Sequence, residues 1–159
     1  MATIKISQFR ARQFGGFTPY GNLTVLPFKL KTNAAGAAID SDTTAAIGNG
    51  DSIVLGILPA GMELHDANLK VSTAFTALVV GKLGFAYEDG VDDADVPQDD
   101  DYFGAGVTLH TAGNYRMETS VAPVRLPKPA KLVLTCSGAA NAKAAQLDVL
   151  INGELTGPN

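Results

Sequence analysis

The sequence predicts an all-β protein folded as one sandwich, and three observations carry that reading. Apolar residues recur with a period of two along several short runs. Each run is bounded by Gly, Pro, Asn or Asp, the residues that punctuate strands. Helical signals are poor: apart from weak Ala-rich pieces, no window of a dozen residues keeps an i, i+3, i+4 apolar stripe free of Gly or Pro.

In chain order, the first strand-length runs are residues 23–30 (LTVLPFKL) and 53–58 (IVLGIL). Leu69, Val71, Thr73 and Phe75 then share one face, with Lys70, Ser72 and Ala74 on the other. Leu83, Phe85 and Tyr87 alternate with Gly84, Ala86 and Glu88. Residues 101–105 (DYFGA) predict a single turn capped by Asp101. Leu132 and Leu134 alternate with Val133 and Thr135, and Leu147 and Val149 with Asp148 and Leu150. Seven or eight strands are expected, with long loops at 32–50 and 88–101. No internal repeat of 20–50 residues is visible, which disfavours a solenoid or propeller.

Length and composition bound the rest. At 159 residues the chain fits one domain, since domains usually run about 100–200 residues. Apolar residues make up 46% and charged residues 18%, which excludes a disordered solvating chain. One cysteine, Cys136, excludes an internal disulfide framework and any zinc site built from several thiolates. The longest apolar stretch, 77–80, is far too short to span a bilayer, so no membrane partner is expected. The start, MATIKISQFRARQ, lacks the apolar core of a secretory signal, and synthesis in a cytoplasm is expected.

The net charge of −4 is unevenly laid out. Before Asp40 there is no acid, but there are the bases Lys5, Arg10, Arg12, Lys29 and Lys31. Eight of the 16 acids fall between Glu88 and Asp101, a stretch without a base. Phe9, Phe14, Phe17, Tyr20 and Phe28 crowd the first 28 residues. A basic, aromatic, Gly-rich stretch such as FRARQFGGFTPYG does not easily make its own core. Two readings of it stand: the aromatics cover a flank of this domain, or residues 1–20 form an arm that docks on a partner, with Phe and Tyr as anchors and Arg as donor. Stacking on nucleic acid is disfavoured by the acidic total and by only two arginines in the stretch.

Motifs for chemistry are absent. His65 and His110 form no H-E-x-x-H pair, and no G-x-S-x-G elbow occurs. At Gly81-Lys82 a phosphate loop would need Ser or Thr where Leu83 stands, and near Gly48-Asn-Gly50 the dinucleotide fingerprint fails at Ile53. Cys136, inside an apolar run, reads as inert packing. The acidic loop offers Asp89, Asp92, Asp93 and Asp95 as a weak cation candidate, although it lacks the pattern of an EF-hand. Its like charges predict an extended, solvated, mobile loop. No catalytic residues, no metal site beyond that loop and no cofactor are expected.

Several segments, in this order, resemble one family. Gly50-Asp51-Ser-Ile53-Val-Leu55-Gly-Ile57-Leu-Pro59-Ala-Gly61 looks like the G-D-x-I-x-L-x-x-L-P-x-G opening of small virion structural proteins of tailed bacteriophages. ANLKVSTAF and VGKLGFAYEDG are similar to that family's next two strands, and Asp101-Tyr102-Phe103 with 109–113 to its D-Y-F … L-x-x-A-G segment. KLVLTCSGAANAKAAQLDVLING looks like its closing hairpin, with Ala145-Gln146 where Gly-Thr is usual. The likeness covers residues 22–152. It implies a jelly-roll-like antiparallel β-sandwich over 21–159 with an extended N-terminal arm over 1–20. It also implies a head decoration or cement protein on the outer surface of an icosahedral capsid. Such a protein is no enzyme; it bridges neighbouring major capsid subunits and self-associates, as a homodimer or a trimer. The capsid contacts would be Lys5, Phe9, Arg10, Arg12, Phe14, Phe17 and Tyr20. The alternative is a receptor- or carbohydrate-binding sandwich of a phage tail or fibre, which the lack of Trp disfavours. A hydrolase on a β-sandwich ranks last, for want of a nucleophile motif.

Overall fold

A computed structural model describes residues 2–5, 23–118 and 121–155, and ten strands run through them. They are β1 (Thr3–Lys5), β2 (Leu23–Lys31), β3 (Ser52–Leu58), β4 (Met62–Thr73), β5 (Val80–Tyr87), β6 (Asp99–Thr108), β7 (Gly113–Glu118), β8 (Val124–Arg125), β9 (Ala130–Ser137) and β10 (Gln146–Leu155). No helix occurs among the described residues, hence none long and apolar enough to cross a membrane. The count exceeds the expected seven or eight because β1 and β8 are too short to show a period.

The strands form two sheets. One has the order β1-β3-β9-β5-β6; the other has β2-β10-β4-β7, with β8 paired to β4. Four antiparallel pairs, β2/β10, β3/β9, β4/β7 and β5/β6, are the rungs of one long ribbon. Rolling that ribbon brings β10 beside β4 and β9 beside β5, which is a jelly roll. The closing segments do not form the expected hairpin. Although β9 and β10 are consecutive, they lie in opposite sheets, because β9 completes the ribbon with β3 and β10 with β2.

The inward phases of the alternating runs meet between the sheets. Leu26, Phe28, Leu30, Leu69, Val71, Leu147, Val149 and Ile151 come from one side, and Ile53, Leu55, Leu83, Phe85, Leu132 and Leu134 from the other, all buried. Sheets pack this way because apolar area removed from water stabilises by about 25 cal/mol per Å2.

Residues 101–105 are strand, not the expected capped turn. The register jumps from Leu83↔Gly104 to Phe85↔Asp99, so β6 carries a bulge that points consecutive Tyr102 and Phe103 both inward. Gly84 permits the bulge: a Cβ there would lie 2.1 Å from the Asp99 carbonyl oxygen. Tyr102 donates its hydroxyl to the Leu64 carbonyl at 3.0 Å, joining the two sheets. Its ring meets Phe85 and Phe103 edge-on at 5.5 and 5.0 Å.

At one end of the sandwich the loops 32–51, 74–79 and 138–145 are tied by Asn141, which is 1% exposed. Its Nδ2 donates to Lys143 O at 2.8 Å and to Thr32 Oγ1 at 3.1 Å. Its Oδ1 accepts from the Thr76 N–H at 3.1 Å. Gly36, at φ +84°, lets the first loop press against the backbone of Asn141.

Candidate interaction surfaces

Of the residues expected to contact a partner, Lys5 lies within the described chain. Phe9, Arg10, Arg12, Phe14, Phe17 and Tyr20 lie outside the described residues. Lys5 ends β1, which pairs in parallel with β3 in the register Thr3↔Ser52, Ile4↔Ile53, Lys5↔Val54. Alternation sends Ile4 into the core, 1% exposed, and turns Thr3 and Lys5 to the outer face. The first described residues of the predicted arm are thus a strand of the sandwich.

The seat of β1 is built from side chains. Asp51 Oδ1 accepts the Ala2 N–H at 2.7 Å, and Oδ2 accepts the Gly48 N–H at 2.8 Å. The bond from Ala2 is the chief cause holding the Asp51 carboxyl below the usual aspartate range, against the effect of its burial. Asp42 Oδ1 accepts the Lys5 N–H at 3.1 Å, and the Asp42 N–H returns a bond to Lys5 O at 3.2 Å.

The acidic loop is wound on itself rather than extended. Asp92 Oδ1 accepts the N–H of Gln98 at 2.7 Å, and Asp93 Oδ1 those of Asp95 and Val96, both at 3.0 Å. The repulsion expected to open the loop is offset by these backbone bonds and by one cation. Lys128 Nζ lies 2.8 Å from Asp89 Oδ2 and 2.7 Å from Val91 O, 4.6 Å from the centroid of the Tyr87 ring. Lys128 is the main cause drawing the Asp89 carboxyl below its usual range. The Tyr87 hydroxyl, bonded to Val96 O at 2.5 Å, is pushed up to about 12, first by burial and then by Asp93, Asp92 and Asp89.

Asp89, Asp92, Asp93 and Asp95 are not drawn to a common point. Among the described residues, the acids whose ligand atoms gather within 4.8 Å are Asp99, Asp100 and Asp101. There Lys82 Nζ lies 2.6 Å from Asp100 Oδ2, and a side-chain hydrogen bond with Asp99 raises the Asp101 carboxyl. Chemically this edge is a negatively charged rim suited to a cationic partner.

A third surface had no forecast. On the outer face of the β2-β10-β4-β7 sheet, Leu23, Val25 and Leu150 are 78%, 51% and 40% exposed. Leu23 and Val25 border a shallow depression of about 390 Å3 that includes His65, Asp66, Arg116 and Asn152. Asp66 accepts from Arg116 Nη2 at 2.9 Å and from Asn152 Nδ2. The signal was present in LTVLPFKL, which is apolar in both phases of its alternation; only one phase fits inside a sandwich.

The remaining candidates are apart from one another in the fold. His65 Nε2 on β4 sits 3.3 Å from Glu63 Oε1, and His110 Nδ1 sits 3.0 Å from Val79 O after β6. Cys136 is fully buried on β9, and burial pushes its thiol up to about 12.

No family model matches the chain, and no curated protein sequence matches it. Solved structures do resemble it. A chain from the capsid of Ralstonia phage GP4 superposes with a TM-score of 0.65 at 14% identity, covering 98% of this chain and 99% of that one. A chain from the capsid asymmetric unit of cyanophage Pam1 gives 0.59 at 15% identity, over 93% and 94% of the two chains. A chain from the acidic stable capsid of Helicobacter pylori bacteriophage KHP30 gives 0.50 at 14%, over 83% and 89%. At such identities the likeness establishes a shared fold.

Proposed function

We propose that the protein is a structural component of a phage virion that decorates and cements the outside of an icosahedral capsid by bridging neighbouring major capsid subunits. The observation that carries this reading is the end-to-end match between its jelly roll and a chain of a phage capsid, 98% of one against 99% of the other. Its partners are then the major capsid protein and other copies of itself. Its work is binding, not catalysis. Lys5 and the downstream residues Phe9, Arg10, Arg12, Phe14, Phe17 and Tyr20 lie against the shell, and the acidic rim faces solvent or a basic neighbour. Many modest contacts repeated around a shell add up as avidity.

Co-sedimentation with capsids lacking the protein tests this. Removing residues 1–20 would also remove Ile4 from the core, so the better variant keeps β1 and carries Arg10→Ala, Arg12→Ala, Phe14→Ala and Phe17→Ala. The unaltered chain is expected to saturate at a fixed ratio to the major capsid subunit, and the variant to bind at least tenfold more weakly. Salt should weaken attachment, because screening shortens the reach of exposed charges to about 8 Å at physiological ionic strength. Failure of the unaltered chain to sediment with such capsids overturns the reading.

A further inference from the structure

We infer that β1 is a portable strand: residues 2–5 of one copy seat beside β3 of a second copy, so that the partner for this sheet edge is the same chain. The inference is independent of what the assembled protein binds. It starts from what the seat recognises. Asp51 takes the Ala2 N–H, the Ser52 N–H donates to Ala2 O at 3.1 Å, and Asp42 takes the Lys5 N–H while returning its own. The one side chain driven into the core is Ile4. Main-chain pairing supplies affinity and a buried side chain supplies register, as when an extended peptide adds to a sheet edge.

None of those contacts depends on how β1 is connected to β2. The connection is the 17 residues 6–22, which reach roughly 56–61 Å when extended, at about 3.3–3.6 Å per residue. A folded chain of this length has a radius of gyration of about 15 Å, so that reach exceeds its width. Handing β1 to a neighbour therefore sacrifices no contact in the seat. Exchange of an identical element between protomers is a low-cost route to association. The parallel pairing marks β1 as an addition to the sandwich: the ribbon pairs that roll into the jelly roll are all antiparallel and complete without it.

The test uses two full-length variants. Thr3 and Ser52 are register partners, and adjacent strands lie about 4.7–4.9 Å apart, inside the roughly 4.4–6.8 Å a disulfide spans. An isotopically labelled Thr3→Cys chain is mixed with an unlabelled Ser52→Cys chain, incubated at high concentration and mildly oxidised. Cys136 stays in place because it is buried. A Thr3→Cys/Ser52→Cys double variant is oxidised in parallel. Exchange predicts covalent heterodimers whose linked peptide pairs labelled residue 3 with unlabelled residue 52, and covalent dimers or larger species from the double variant. Bonds confined to single chains in the double variant, with no such pair from the mixture, overturn the inference.

Discussion

Asp51 and Asn141 do comparable work at opposite kinds of position, one charged and 9% exposed, the other neutral and 1% exposed. Replacing Asp51 by Ala strands the amides of Ala2 and Gly48 and is expected to cost about 1–3 kcal/mol, read from denaturant unfolding. The contribution depends on pH with a definite sign. Because the folded carboxyl lies below its unfolded value, the stabilisation is fully present above about pH 3.9 and is lost as pH falls through the lower folded value. The gap in stability between the native chain and Asp51→Asn should thus hold at neutral pH and close in that acid window. A gap independent of pH would mean that the charge is not what seats β1. Asn141 uses both ends of its amide, so Asn141→Ala should lower stability by on the order of 3 kcal/mol. Asn141→Asp should be no better, since it turns a carboxylate oxygen toward Lys143 O. Neither residue was legible beforehand. Asp51 meets Ala2 across 49 residues and Asn141 meets Thr32 across 109, and a local pattern holds no trace of such meetings.

At the scale of elements, two signals announced strands. β2, β4, β5 and β10 alternate because one side of each faces the core, whereas β3 and β9, buried on both faces, read as short apolar runs bounded by turn residues. β6 was misread for a physical reason: its bulge sets Tyr102 and Phe103 side by side in the core, and Gly104 and Gly106 adopt positive φ, so the period is broken where the strand does most. β7 went unseen because, among residues 113–117, Met117 alone is buried. The division into sheets was equally hidden, since consecutive strands usually pair and β9 and β10 do not. The bulge yields a prediction. Tyr102→Phe keeps the ring contacts but removes the hydroxyl that bonds Leu64 O and accepts the Val124 N–H at 3.3 Å. A loss of about 1–2 kcal/mol is expected, measured by thermal unfolding, with faster amide exchange in β8. Unchanged exchange there would show that the hydroxyl does not hold β8 to β6.

On the scale of the whole molecule, charge and topology divide the labour. Acids gather on one rim around Lys128 and Lys82, while β1, which ends in Lys5, forms the far edge of the sheet that β6 closes. The acidic half of that layout was plain in the sequence, where no base occurs between Glu88 and Asp101. The rolled ribbon has a consequence for how the molecule comes into being. β10 is synthesised after every other strand of its sheet, yet it sits between β2 and β4 in that sheet's interior. A growing chain on the ribosome holds β2 and β4 ready with nothing to lie between them, so that sheet assembles only after residue 155 emerges. Nascent chains stalled before residue 146 should therefore remain protease-sensitive and prone to aggregate, whereas chains extended past residue 155 by about 30 tether residues become resistant in one step. Closure of this sheet thus waits on β10, and until that strand emerges the inner edges of β2 and β4 stand exposed.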